Sequence, residues 1–120
     1  MIIDCHGHYT TTPEPLGAYR EAQKAAMRND PHHIGEKGML KITDDQIRES
    51  LEQNQLRLQR QRGTDLTIFS PRASWMEHHV GNEHTSRFWT EHTNELVHRV
   101  VQLYPQSFVG VCALPQSPGT

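Results

Sequence analysis

Two histidines separated by one residue, His6-Gly7-His8, follow the short apolar run Met1-Ile2-Ile3-Asp4-Cys5. In an extended strand, residues i and i+2 point to the same side. Two imidazoles at that spacing face one point, roughly 6–7 Å apart at Cα. Both can then reach a single ion at roughly 2.0–2.1 Å. Gly7 keeps the intervening position open, and Asp4, on the same side by alternation, is placed to orient a ligand as a supporting acid. The alternative is a pair of loop histidines with no metal. Catalytic zinc usually takes three protein ligands, so the rest of a set must come from elsewhere.

Two further clusters have polar groups suited to binding. Ser70-Pro71-Arg72 combines a hydroxyl with a guanidinium that can fork a carboxylate, on a turn stiffened by proline, although spacing alone favours an ordinary surface arginine. Leu114-Pro115-Gln116-Ser117 offers an amide and a hydroxyl. The other histidines are weaker candidates. Glu95-Leu96-Val97-His98 has the E-x-x-H spacing of carboxylate-bridged iron helices, but it occurs once and reads as a solvated helix face. His32, His33, His78, His79 and His84 read as surface residues, and Cys5 and Cys112 as packed core thiols. No P-loop, G-x-G-x-x-G, G-x-S-x-G or H-E-x-x-H is present.

The elements that must position these groups follow from periodicity and punctuation. Met1–Cys5 reads as a buried strand, with residues 6–13 a loop. Glu14–Arg28 is rich in helix formers, with Leu16, Tyr19, Ala22 and Ala26 as an apolar stripe. Thr43-Asp44-Asp45-Gln46 is a capping box opening a second helix that ends before Gly63. Ile47, Leu51 and Leu58 share its face, and Leu56 lies off that line. Asp65–Phe69 reads as a strand. A helix from about His84 to Tyr104 buries Trp89, Thr93, Leu96, Val97, Val100 and Tyr104, and Phe108–Ala113 forms the third strand. The order β-α-α-β-α-β argues for an α/β fold with a parallel sheet. In such folds ligands bind at the carboxyl ends of the strands, and His6-Gly7-His8, Ser70-Pro71-Arg72 and Gln116-Ser117 all fall there.

Composition narrows the function classes. The chain has 120 residues, and its 12 basic against 14 acidic side chains leave a net charge of −2. That balance gives no basic excess for nucleic acid. Mean hydropathy is −0.74, and no run approaches the roughly 20 apolar residues of a membrane helix. The N-terminus has no basic region ahead of its apolar run, so it does not read as a signal peptide. Two cysteines cannot build a disulfide framework, and a reducing, cytoplasmic setting fits best.

Ile3-Asp4-Cys5-His6-Gly7-His8 resembles the opening of the amidohydrolase superfamily, closest to its decarboxylase-like branch. The likeness extends through MIIDCHGHYTT, KITDDQIRESLEQNQLRLQRQRGTDLTIFSPRAS, Tyr104-Pro105 and ALPQSPG, essentially the whole chain. It implies the N-terminal β-α-α-β-α-β portion of a metal-dependent (β/α)8 barrel, with residues 1–120 as part of that domain. It implies that His6 and His8 bind a divalent metal, usually zinc, and that Ser70, Arg72 and Gln116 meet a small-molecule carboxylic acid. The nearest members are hydratases of aromatic-compound degradation, which add water to an activated double bond. A decarboxylase or hydrolase on the same scaffold is the alternative. A homo-oligomer is left open for the longer protein. A (β/α)8 barrel takes roughly 250 residues, so the chain is expected to be an N-terminal fragment or truncated product. The family's later ligands, a histidine and an acidic residue, and its catalytic groups have no positions in it. The chain alone is therefore expected to be an inactive, weak two-histidine metal binder. A histidine-rich metal buffer is disfavoured because only His6-x-His8 has ligand spacing.

Overall fold

A computed structural model describes residues 1–33, 40–72 and 82–116. Three parallel strands, β1 (Ile3–His8), β2 (Leu66–Ser70) and β3 (Phe108–Gly110), form one sheet in the order β1-β2-β3. Among the described residues four helices connect them: α1 (Glu14–Met27), α2 (Asp44–Gln53), α3 (Gln55–Arg62) and α4 (Glu83–Leu103). The architecture is α/β as expected, and the expected second helix is split into α2 and α3. Both histidines lie inside β1 rather than in the loop after it.

The extra helix comes from a break at Asn54. Its backbone leaves the helical region at φ −125°, ψ −90°, and its side-chain amide donates to the Ser50 carbonyl at 2.8 Å. The turn redirects α3, so Leu56 is buried and Leu58 is 37% exposed, the reverse of the expected stripe. Arg60 grips Glu52 across the break with two bonds, 2.6 and 3.2 Å. Hydrogen bonding from Arg60 holds the Glu52 carboxyl below its usual range. The ends of this segment follow the sequence: Thr43 and Gln46 form a reciprocal capping box, and Gly63 ends α3 at φ +68°, where a Cβ would be strained.

The helices cover one face of the sheet. Thr67, Phe69 and Phe108 point into that layer and meet Leu51, Leu56, Val97 and Val100. Trp89 of α4 packs on Tyr19 of α1, and its indole N–H donates to Gln23 Oε1 at 2.8 Å. This bond explains why α1 buries Gln23 and Met27 with Leu16, while Ala22 is exposed. Alternation puts Ile3, Leu66, Ile68 and Val109 on the opposite face, where Ile3 is 49% and Val109 47% exposed. The expectation that β1 is buried therefore fails: among the described residues β1 is an edge strand backed by helices on one face only. Cys5 on that edge and Cys112 beyond β3 are likewise exposed, not core thiols.

Pairing of β1 with β2 is uneven. Asp4 lies opposite Thr67 and Gly7 opposite Phe69, so β1 takes three steps where β2 takes two. One extra residue is absorbed between Asp4 and Gly7, a β-bulge. At Gly7 the strands approach so closely that a Cβ would lie 2.2 Å from Thr67 Cγ2 and 3.0 Å from the Ile68 carbonyl oxygen. Just beyond, Tyr9 turns fully into the core. Its hydroxyl bonds the Ser50 hydroxyl, which itself donates to the Ile47 carbonyl at 2.9 Å, so the phenol is the donor. Burial pushes the Tyr9 hydroxyl up to about 12.

Two outcomes follow. Gly7→Ala should destabilise the chain by about 1–3 kcal/mol, the usual cost of overpacking, read as a lower midpoint in urea. Thr67→Ser removes the clashing methyl and should recover part of that loss; an unaltered midpoint for Gly7→Ala would contradict the close approach. Tyr9 should ionise near 12 rather than 10, measured by its ultraviolet absorbance during alkaline titration. The phenol is neutral in the fold. Its contribution, about 2–3 kcal/mol, is present below pH 10 and is lost as pH rises from about 10 to 12. Tyr9→Phe should flatten that part of the stability profile.

Candidate metal and substrate site

His6 and His8 stand side by side at the carboxyl end of β1, their ring centres 4.7 Å apart and nearly perpendicular. Two imidazoles sharing one ion at roughly 2.0–2.1 Å in near-tetrahedral geometry have ring centres about 5 Å apart. The ring separation is compatible with two ligands of one divalent ion. Among the described residues, no group of three or more His, Cys, Asp or Glu side chains gathers at a common point. His78 and His79 lie outside the described residues.

Several elements hold the histidine segment. The Ser70 carbonyl accepts the Tyr9 N–H at 3.2 Å, continuing the β1–β2 ladder past His8. Gln55, at the start of α3, donates to the His8 carbonyl at 3.4 Å and to Thr10 Oγ1 at 3.1 Å. Tyr9 anchors the segment in the core through Ser50 of α2. Sequence reasoning missed Tyr9, Ser50 and Gln55. Tyr9 carried a usable signal, a large side chain directly after the histidine pair; Gln55 carried none.

The other expected site residues are placed as follows. Asp4 does not share the face of His8: it pairs with Thr67, whereas His8 pairs with Ser70. The bulge breaks the alternation that the expectation assumed. Asp4 Oδ1 accepts the backbone N–H of His6 at 3.0 Å, so it acts on the main chain of a histidine. Ser70 Oγ lies 2.9 Å from His8 Nδ1, so its hydroxyl is engaged with the ring. Arg72 is exposed just past the end of β2. The Gln116 N–H donates to Ser86 Oγ at 2.9 Å, tying the segment after β3 to the first turn of α4. Asn94 makes a two-way bond with the Ala113 backbone at 2.8 and 2.9 Å, fixing the same segment. Among the described residues, no hydrogen bond links Arg72 or Gln116 to the histidines. Ser117 lies outside the described residues. Glu95 and His98 are both exposed on α4, as a solvated helix face requires.

A cleft of about 160 Å³ runs beside β1, lined by Asp4, His6, His8, Gln55, Gln59 and Arg62 among others. It is polar and carries both cationic and anionic groups. Among the described residues, no helix is long and apolar enough to cross a membrane.

No protein-family model matches the chain. A 2-keto-4-carboxy-3-hexenedioate hydratase from Sphingobium sp. is 52% identical over 120 residues, 98% of this chain and 34% of that protein. The crystal structure of 4-oxalomesaconate hydratase from Rhodopseudomonas palustris superposes with a TM-score of 0.86 at 46% identity, covering all of this chain and 35% of that one. The chain thus spans about a third of the length of the relatives it matches. At these identities and with this superposition, the chain is homologous to 4-oxalomesaconate hydratase over about a third of that enzyme.

Proposed function

We propose that residues 1–120 are the opening part of a (β/α)8 barrel domain whose whole protein is a metal-dependent hydro-lyase. The observation that carries this reading is the paired His6 and His8, 4.7 Å apart at the carboxyl end of the first strand of a chain homologous to a hydratase. The sheet supports it independently. β2 and β3 carry apolar residues on both faces, Leu66, Ile68 and Val109 opposite Phe69 and Phe108, the pattern of parallel strands that are covered on both sides, as in a closed barrel.

In this reading His6 and His8 supply two imidazole ligands to a divalent ion, most simply zinc. When bound, such an ion lowers the pKa of water and orients it for addition to an activated double bond. Asp4 holds the His6 backbone in place, and Gln55 and Tyr9 hold the segment around His8. Arg72, exposed at the end of β2, takes a carboxylate of an unsaturated keto acid of the 4-oxalomesaconate kind, with the Gln116 amide as a second contact. Ser70 stands beside the same mouth with its hydroxyl on His8.

A second reading concerns the 120-residue chain by itself. The described residues bring together two histidines with no third donor, so the isolated chain binds zinc weakly and turns nothing over.

Tests separate the two. In a protein carrying residues 1–120 within a chain of the relatives' length, 4-oxalomesaconate should be hydrated in the presence of zinc. His6→Ala and His8→Ala should remove activity and bound zinc together, the latter measured by atomic emission. Arg72→Lys should raise KM by roughly tenfold to a hundredfold, the value of a charge-assisted fork. Release of carbon dioxide in place of hydration would move the reading to a decarboxylase. The 120-residue chain should show no turnover above a zinc-only control.

A further inference from the structure

We infer that Ser70 is a positioning residue that sets the tautomer of His8, leaving Nε2 bare for a metal. The inference rests on the metal reading of His6 and His8 for its purpose, but its geometry stands apart from that reading. Ser70 is the register partner of His8 on the neighbouring strand. Its Oγ lies 2.9 Å from His8 Nδ1 and 3.4 Å from the Gly7 carbonyl oxygen.

A hydroxyl has one hydrogen to give and lone pairs to receive. The Gly7 carbonyl can only accept, so that contact exists only if Ser70 donates to it. The Ser70 oxygen must then receive its second bond, and His8 Nδ1–H is the donor. The opposite assignment, with Ser70 donating to a bare Nδ1, leaves the Gly7 carbonyl contact unmade. One arrangement satisfies both contacts: His8 Nδ1–H to Ser70 Oγ–H to Gly7 oxygen. It puts the ring proton on Nδ1 and a lone pair on Nε2. The hydrogen bond made by one ring nitrogen selects what the other can do, and ligating histidines use this device with carbonyl or carboxylate partners. Here a hydroxyl relays the bond to a main-chain carbonyl of the ligand's own strand.

Ser70 is itself fixed. Its carbonyl accepts the Tyr9 N–H at 3.2 Å, and Tyr9 is locked in the core. The ring of His8 is thus oriented by β2 through both the side chain and the main chain of one residue.

The test uses the metal-free 120-residue chain with histidine ring nitrogens labelled with nitrogen-15. Long-range proton–nitrogen spectra distinguish protonated from bare ring nitrogens. His8 is assigned by its loss in His8→Gln. His92, whose Nδ1 lies 2.7 Å from the Phe88 carbonyl and must donate to it, serves as an internal check on folding. The wild-type chain should show His8 protonated at Nδ1. Ser70→Ala should shift it toward the Nε2–H form with His92 unchanged, and Ser70→Thr should restore the Nδ1–H form. A wild-type His8 protonated at Nε2, or a Ser70→Ala chain that keeps Nδ1–H, overturns the assignment.

Zinc titration by calorimetry reads the consequence. Ser70→Ala should weaken zinc binding by about tenfold or more, with Ser70→Thr near wild type. Zinc affinity unmoved by Ser70→Ala, with the tautomer shifted, would overturn the link to metal presentation. Zinc binding that survives His6→Ala with His8→Ala would sink the metal reading itself and leave the tautomer result standing.

Discussion

The close approach of β1 to β2 at Gly7 is the constraint on which the histidine site depends. Among the described residues β1 pairs with β2 alone, so its position rests on that one seam. A residue with a Cβ at Gly7 would drive into Thr67 and the Ile68 carbonyl. With glycine there, the strand comes close, the extra residue is absorbed upstream, and His8 falls opposite Ser70. The same geometry brings the Tyr9 N–H to the Ser70 carbonyl, so the ladder continues past the last histidine.

The helices reinforce this arrangement from below. Tyr9 passes from the strand end into the core and reaches Ser50 of α2, while Gln55 of α3 reaches back to the His8 carbonyl and Thr10. These two anchors lie on opposite sides of the break at Asn54. An unbroken helix would not present Ser50 and Leu56 together to the core with Gln55 beside the histidine segment. The Glu52–Arg60 pair spans the break on the exposed side, where it contributes little energy but restricts the angle. Tyr9 is the costlier element, because a buried phenol must keep its hydrogen bond and its proton for the segment to stay in place.

The sheet face that carries Ile3, Leu66, Ile68 and Val109 has no counterpart layer among the described residues. Apolar residues on both faces of β2 and β3 suit strands that are covered on both sides, and the chain spans a third of its relatives. The candidate groups lie at the carboxyl ends of the strands: two imidazoles on β1, a hydroxyl and a guanidinium at the end of β2, and an amide in the segment after β3. Each comes from a different strand end, so their separation is set by strand spacing and register rather than by sequence distance.

Much of this was legible without coordinates. Apolar runs bounded by proline and glycine located all three strands. The capping box at Thr43, the αL position at Gly63 and the 3.6-residue stripe of α4 are local signals, because hydrogen bonds and sterics within a few residues decide them. The paired histidines were visible for the same reason, since a spacing of two on a strand is local geometry. The sequence resemblance also pointed correctly to the hydratase relatives. Three features were decided only by tertiary structure. The bulge depends on how one strand meets another, so alternation alone misplaced Asp4. The exposure of β1, Cys5 and Cys112 depends on which neighbours cover a strand, and composition does not say that. The engagement of Ser70 with His8, across 62 residues of chain, depends on register. Sequence determines which groups the strands carry; the pairing of strands decides which groups touch, because register is a relation between distant segments that no local preference encodes.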